Sequence, residues 1–218
     1  MFFFNNLFKF NLPSEKYLLN LKIDLSKINF FLKKKYIQNK KKFLWYGDWD
    51  KKKISIDKYG NTSINYYSVF EIFRFNKNFK ESKEYQKKLN ELNLKGFSSR
   101  GHRNIKELDD YFVSLINLKN SIEKYGYKSQ LQLNNINQND EIGVVIGRNG
   151  EIIKLEDKFG GTHRFAICKV LNIKSVLISI KAIHSNFADK IEIQKIISNA
   201  DCSNIINNLK EKIYKFYE

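Results

Sequence analysis

Apolar residues recur at helical spacing from Ile105 through Leu108, Tyr111, Phe112, Leu115, Leu118 and Ile122 to Tyr125. Asn104, three residues ahead of Glu107, gives this run a capping-box-like start, and Gly126 supplies the stop. The uninterrupted apolar stretch Ile142–Ile146 predicts a strand, and Asn149-Gly150 predicts a two-residue hairpin turn returning along Glu151–Leu155. A glycine-containing turn at 159–164 leads into an amphipathic run, Phe165–Leu171. Ser175–Ile180 is a further strand, and 189–217 read as helical. This order predicts a mixed α/β or α+β fold. No internal repeat or Gly/Ser linker divides the chain, and the pattern changes near residue 95 without a flexible break.

Composition narrows the class. The 218 residues are 42% hydrophobic and 15% aromatic, enough to bury a core, which excludes a wholly disordered chain. The single proline, Pro13, and ten glycines exclude collagen-like or Pro-rich architectures. Two cysteines, Cys168 and Cys202, are too few for a disulfide scaffold or a four-thiolate zinc site, which fits a reducing, cytoplasmic compartment. The three histidines and two cysteines are far apart in sequence, so no metal site is expected. No segment reaches the ~18 uncharged apolar residues of a membrane span. The opening MFFFNNLFKFNL is short and broken by Asn5, Asn6 and Lys9, and is expected to dock on the protein's own body.

The net charge is +16, from 39 basic and 23 acidic residues. Fourteen lysines and five acids place +9 of it in residues 1–60. A polyanionic partner such as nucleic acid is one reading of these lysine runs. The other is a solvated surface enriched in lysine by A/T-rich coding, which the abundance of Asn, Ile, Phe and Tyr also suggests. Between two of the runs, Trp45-Tyr46-Gly47-Asp48-Trp49-Asp50 holds both tryptophans in a loop-like stretch. Their rings can stack bases or anchor the N-terminal region on the core. His102, beside Arg100 and Arg103, can touch a polyanion or lie in a solvated loop. His184 and Phe187, after the last strand, can border a ligand site or close the core.

The stretch with most chemical content is Gly160-Gly161-Thr162-His163-Arg164, between a strand and a helix. Two glycines allow a sharp turn and close backbone approach. The helix N-terminus offers unpaired N–H groups and the positive end of its dipole, and Thr162, His163 and Arg164 add donors, a combination suited to phosphate. The plain alternative is a Gly-Gly turn with a capping Thr and a surface Arg.

Phe159-Gly160-Gly161-Thr162-His163-Arg164-Phe165-Ala166 resembles the F-G-G-C-H-R signature of sulfiredoxin and the D-G-x-H-R-x-x-A motif of the wider ParB/sulfiredoxin superfamily, which includes ParB-like free-serine kinases. The resemblance covers about residues 100–185. Weaker likenesses to uncharacterised ParB-like proteins lie in Gly126-Tyr127-Lys128-Ser129-Gln130 and in the tryptophan segment. It implies a ParB/sulfiredoxin-like mixed sheet with flanking helices over 96–188, a basic, aromatic N-terminal region (1–95) packed on the core, and a C-terminal helical segment (189–218). It also implies nucleotide phosphates (ATP or ADP, with CTP a further candidate) at Gly160, Gly161, Thr162, His163 and Arg164, aided by Lys128 and Ser129. Thr162 stands where sulfiredoxin has its nucleophilic Cys, and Cys168 lies on the apolar run of the next helix, so sulfinic acid reduction is not expected. His-Arg replaces the Arg-Arg of ParB proper, and too little chain follows His184 for its DNA-reading domain, so DNA partitioning is not expected either.

The kinase branch carries Asp where this chain has Gly160. Glu156 and Asp157, just upstream, can supply a carboxylate for Mg²⁺ or for activating a hydroxyl, or can simply be a charged hairpin end. The expected function is therefore nucleotide-phosphate binding by a ParB-like protein, extending to small-molecule phosphotransfer with His163, Arg164, Glu156 and Asp157 as catalytic candidates. The rival is a non-catalytic nucleotide-sensing or nucleic-acid-binding module.

Overall fold

The computed structural model describes residues 19–38, 43–60, 63–130, 132–133, 141–156, 160–193 and 202–217. The opening apolar strip, the Lys40–Lys42 run, Phe159 and the candidate Asp157 lie outside them. In chain order the strands are β1 (Leu19–Asp24), β2 (Ile28–Leu32), β3 (Leu44–Trp45), β4 (Ile54–Ser55), β5 (Ile142–Ile146), β6 (Ile152–Leu155) and β7 (Ser175–His184). The helices are α1 (Ile56–Gly60), α2 (Ile64–Phe73), α3 (Lys83–Lys95), α4 (Ile105–Tyr125), α5 (Thr162–Val170), α6 (Ser185–Lys190) and α7 (Cys202–Tyr217). The fold is mixed α/β, of the α+β kind. Among the described residues no helix is long and apolar enough to cross a membrane.

The chain forms two compact units. One comprises Met1–Ser55, Gln130–Gly160 and Ser175–Glu218; the other comprises Ile56–Ser129 and Gly161–Lys174. The stretch 96–188 thus contributes to both.

The first unit holds the whole sheet, in the order β1-β7-β5-β6-β2-β4, with β3 also on β7. β7 runs antiparallel to β1 over Ser175–Ile180, then parallel to β3 at Ile183 and His184, and parallel to β5 along its other edge. It reaches four residues past the stretch expected from the sequence because its end, Lys181–His184, pairs with residues far upstream. Every residue of β5 is buried, which is why it reads as a continuous apolar run without alternation. Trp45 and Trp49 are 2% and 5% exposed and pack with Leu32, Val145, Ile153, Leu155 and Ala182. Their rings meet edge to face at 5.2 Å, and Trp49 stacks on His184 at 5.7 Å. Both tryptophan rings are therefore core, held by β3 and a 3-10 turn, Trp49–Lys52, while Tyr46, Gly47 and Asp48 between them are exposed. His184 and Phe187 are buried within the same unit.

The hairpin differs in detail from the expected two-residue turn. Gly150 N–H bonds Gly147 O at 3.0 Å, and Gly147 N–H bonds Glu151 O at 2.9 Å. Only Gly150 is left-handed in this loop, with φ +91°. The pattern is a turn centred on Arg148 and Asn149 followed by a glycine bulge, which matches strand twist without requiring Asn149 to adopt positive φ.

The second unit is helical. Ser63, Ser82 and Asn104 each accept a bond from the backbone N–H three residues on and so cap α2, α3 and α4. Asn104 and Glu107 form the predicted N-terminal box, in which the Glu107 carboxylate accepts from the Arg103 amide at 2.8 Å and from the Asn104 side chain at 2.9 Å. Tyr85, Leu108, Phe112 and Leu115 form the core between α3 and α4, with Phe79 stacked on Phe112 at 5.6 Å. Phe165 of α5 packs near Tyr66 of α2, 6.1 Å between ring centroids.

Candidate functional site

Helix α5 starts at the glycine turn where the sequence reading expects phosphate to bind. Gly161 is its N-cap, left-handed at φ 58° and ψ 43°, a conformation that L side chains rarely adopt, and no side chain caps the helix there. The first turn therefore presents Thr162, half-buried, followed by His163 and Arg164. One guanidinium nitrogen of Arg164 bonds the Lys128 carbonyl at 3.4 Å, and its carbon lies 5.8 Å from the Tyr127 ring. Lys128 is exposed, with its ammonium 5.2 Å from the Tyr125 ring, while Ser129 is buried. The helical unit thus contains Gly161, Thr162, His163, Arg164, Lys128 and Ser129.

Gly160 and Glu156 belong to the sheet unit. The Gly160 carbonyl accepts from the Gly143 amide at 3.2 Å. Glu156 ends β6: its amide bonds Leu32 O at 3.0 Å, and its carboxylate accepts from the Lys34 amide at 3.2 Å.

His163 is the centre of a network absent from the sequence-level expectation. Its Nε2 lies 2.7 Å from Oε2 of Glu84, with the two side chains only 8% and 2% exposed. The Tyr111 hydroxyl sits 3.3 Å from the same Nε2 and donates to Glu84 Oε1 at 3.3 Å. The Lys88 ammonium is 3.7 Å from Glu84 Oε1. Glu84 is fixed from below by its own amide, which donates to Ser68 Oγ at 2.9 Å.

Burial pushes the Glu84 carboxyl up, but the His163 hydrogen bond and the charges of His163, Lys88 and Arg100 outweigh it and hold it below its ordinary value. Burial, followed by the charge of Glu84, pushes the Tyr111 phenol above its usual range and keeps it a donor. An ionised carboxylate only accepts, so the Nε2 facing it carries the proton. In the neutral imidazole the lone pair is then on Nδ1, the nitrogen that bonds no described residue. A carboxylate that orients an imidazole in this way is the arrangement used to hold a general base.

Glu84, Lys88 and Tyr111 carried no distinguishing signal in the sequence. Glu84 and Lys88 read as an ordinary helical i,i+4 pair, and Tyr111 reads as one more apolar position of α4. Cys168 is fully buried on α5, and burial, opposed by the charge of Arg164, leaves its thiol pushed up to about 12, an inert core group.

No protein-family model, curated protein or solved structure matches the chain.

Proposed function

We propose that the protein binds a nucleotide through Gly161–Arg164 and transfers a phosphoryl group to a small-molecule acceptor in the cytoplasm, as a ParB/sulfiredoxin-like phosphotransferase. The observation that carries this reading is the buried pair between Glu84 of α3 and His163 on the first turn of α5. It sets an oriented imidazole on the same turn as the N–H groups and the Arg164 guanidinium suited to phosphate. In this reading the amides of the turn, Arg164 and Lys128 neutralise phosphate charge, with Ser129 as a further candidate, and His163 Nδ1 takes the acceptor's proton. Positioning and charge neutralisation supply most of the catalysis in phosphoryl transfer. Any Mg²⁺ would come on the nucleotide's phosphates, with the Glu156 and Asp157 carboxylates as further candidate ligands.

A nucleic-acid-binding module has less support. Trp45 and Trp49 spend their rings in the core, and Lys51 and Lys53 pair with Asp48 and Glu151.

Calorimetry with ATP, ADP and CTP tests the proposal. At least one is expected to bind with a sub-millimolar Kd, and Arg164→Ala to weaken it by about tenfold. Absence of binding by all three, or an Arg164→Ala variant that binds as the parent does, would refute it.

A further inference from the structure

Two cations and an imidazole surround the Tyr111 ring, on residues the nucleotide reading does not use. The Lys88 ammonium lies 5.8 Å from the ring centroid, the Arg100 guanidinium carbon 5.1 Å, and the His102 ring 5.1 Å. The Lys88 side chain is only 4% exposed, yet among the described residues its three N–H donors have two neighbours, Glu84 Oε1 at 3.7 Å and Ser99 Oγ at 3.4 Å. A buried ammonium is normally saturated with close acceptors, because removing it from water is costly. The Arg100 guanidinium makes no hydrogen bond to any described residue; it is held against the Tyr111 ring with its fork of donors unspent.

The intervening loop holds these groups in place. Ser98 is buried, and its Oγ accepts from the amides of His102 at 3.2 Å and Arg100 at 3.4 Å. Its remaining proton therefore goes to His102 Nδ1, 2.8 Å away, which leaves Nε2–H of His102 as a donor with no partner among the described residues. Two fixed cations, Lys88 and Arg100, thus face one carboxylate, Glu84. The other acids nearby are committed: Glu91 accepts from the Ser99 amide and pairs with Lys87, and Glu107 closes the α4 cap. Burial, then the charges of Lys88 and Arg100, pull His102 below its ordinary value against the opposing pull of Glu107 and Glu84. It is a neutral donor awaiting negative charge.

We infer that Lys88, Arg100 and His102 form an oxyanion-binding site for the carboxylate or phosphate group of a small-molecule acid. The site goes beyond the nucleotide reading and stands without it, since it uses none of Gly161–Arg164.

The test follows the His102 ring by NMR across pH, with inorganic phosphate, malonate or sodium chloride at matched ionic strength. Phosphate or malonate at roughly 10 mM is expected to raise the His102 midpoint while chloride does not, and the more effective anion identifies the group recognised. Arg100→Gln, an exposed change that leaves the core intact, is expected to weaken the response by about tenfold, whereas Arg164→Ala preserves it. The inference is overturned if neither anion moves the midpoint, if chloride moves it equally, or if Arg100→Gln responds as the parent does. A response lost in Arg164→Ala overturns it as well, because the anion would then sit at the start of α5.

Discussion

His163 Nε2 lies 2.7 Å from Oε2 of Glu84, a residue 79 positions earlier in the chain, and both are almost sealed from solvent. The pair joins the first turn of α5 to the first turn of α3. Burying an ionised carboxylate is costly unless it is paired and hydrogen-bonded, and here Tyr111, Lys88 and His163 together meet that requirement.

Glu84→Gln removes the charge and keeps the shape. It is expected to lower stability by about 3 kcal/mol in urea denaturation, the range for breaking a buried ion pair from one side. The Glu84 carboxyl is held below its ordinary value in the fold, so its contribution is complete above the unfolded value of ~4.3 and is lost as pH falls through the folded value. The variant should therefore show a flatter loss of stability below about pH 5 than the parent. Superimposable acid limbs for the two proteins would show that the pair contributes nothing.

Asp50 in the sheet unit gives a second acid-sensitive element. It is 1% exposed and accepts from Arg148 Nε, from Arg148 Nη2 at 2.7 Å and from the Arg148 amide at 3.0 Å. Burial raises its carboxyl, but the Arg148 bonds and the charges of His184 and Arg148 lower it to about 2. Its stabilisation is present above the unfolded value of ~3.9 and disappears as pH falls toward 2. Asp50→Asn is expected to cost ~2 kcal/mol at neutral pH, with a lowered Tm measurable by calorimetry. An unchanged Tm would refute the assignment.

Gly150 carries the hairpin bulge, and a Cβ added there would meet the Phe216 ring at 2.2 Å. Phe216 packs edge to face on Phe187 at 4.9 Å, and Tyr217 donates to Gly150 O at 2.6 Å. Gly150→Ala should cost ~1–2 kcal/mol for the left-handed backbone alone and should also displace the end of α7. Protease cleavage near residues 210–217 is the direct measurement, and it should be faster than in the parent. Equal cleavage rates would show that α7 docks independently of the hairpin.

Sequence reading recovers elements whose signals are local. The α4 cap and the β5 run are placed and the hairpin is located, though its turn centres one residue earlier than Asn149-Gly150, because capping, continuous apolarity and turn chemistry act within a few residues. β1 carries a clear alternation, Leu19-Asn20-Leu21-Lys22-Ile23-Asp24, which the lysine density of its region obscures. What the sequence cannot display is burial produced by tertiary contact. The same Glu84–Lys88 spacing describes an exposed pair worth little or a buried one that organises a site, and only the packing of α3, α4 and α5 decides between them. Arg100 and His102 look like loop residues for the same reason, since Tyr111 meets them only once α4 has docked.

Strand β1 has β7 as its sheet partner, with Leu19 opposite Ile180. During translation at roughly 5–20 residues per second, the 161 positions between them (180 − 19) take roughly 10–30 s to appear. Until β7 has been made and has emerged, Leu19–Asp24 lacks the strand that pairs with its backbone edge, the condition that invites association between chains. A nascent chain halted before Ser175 thus lacks the strand that covers this edge.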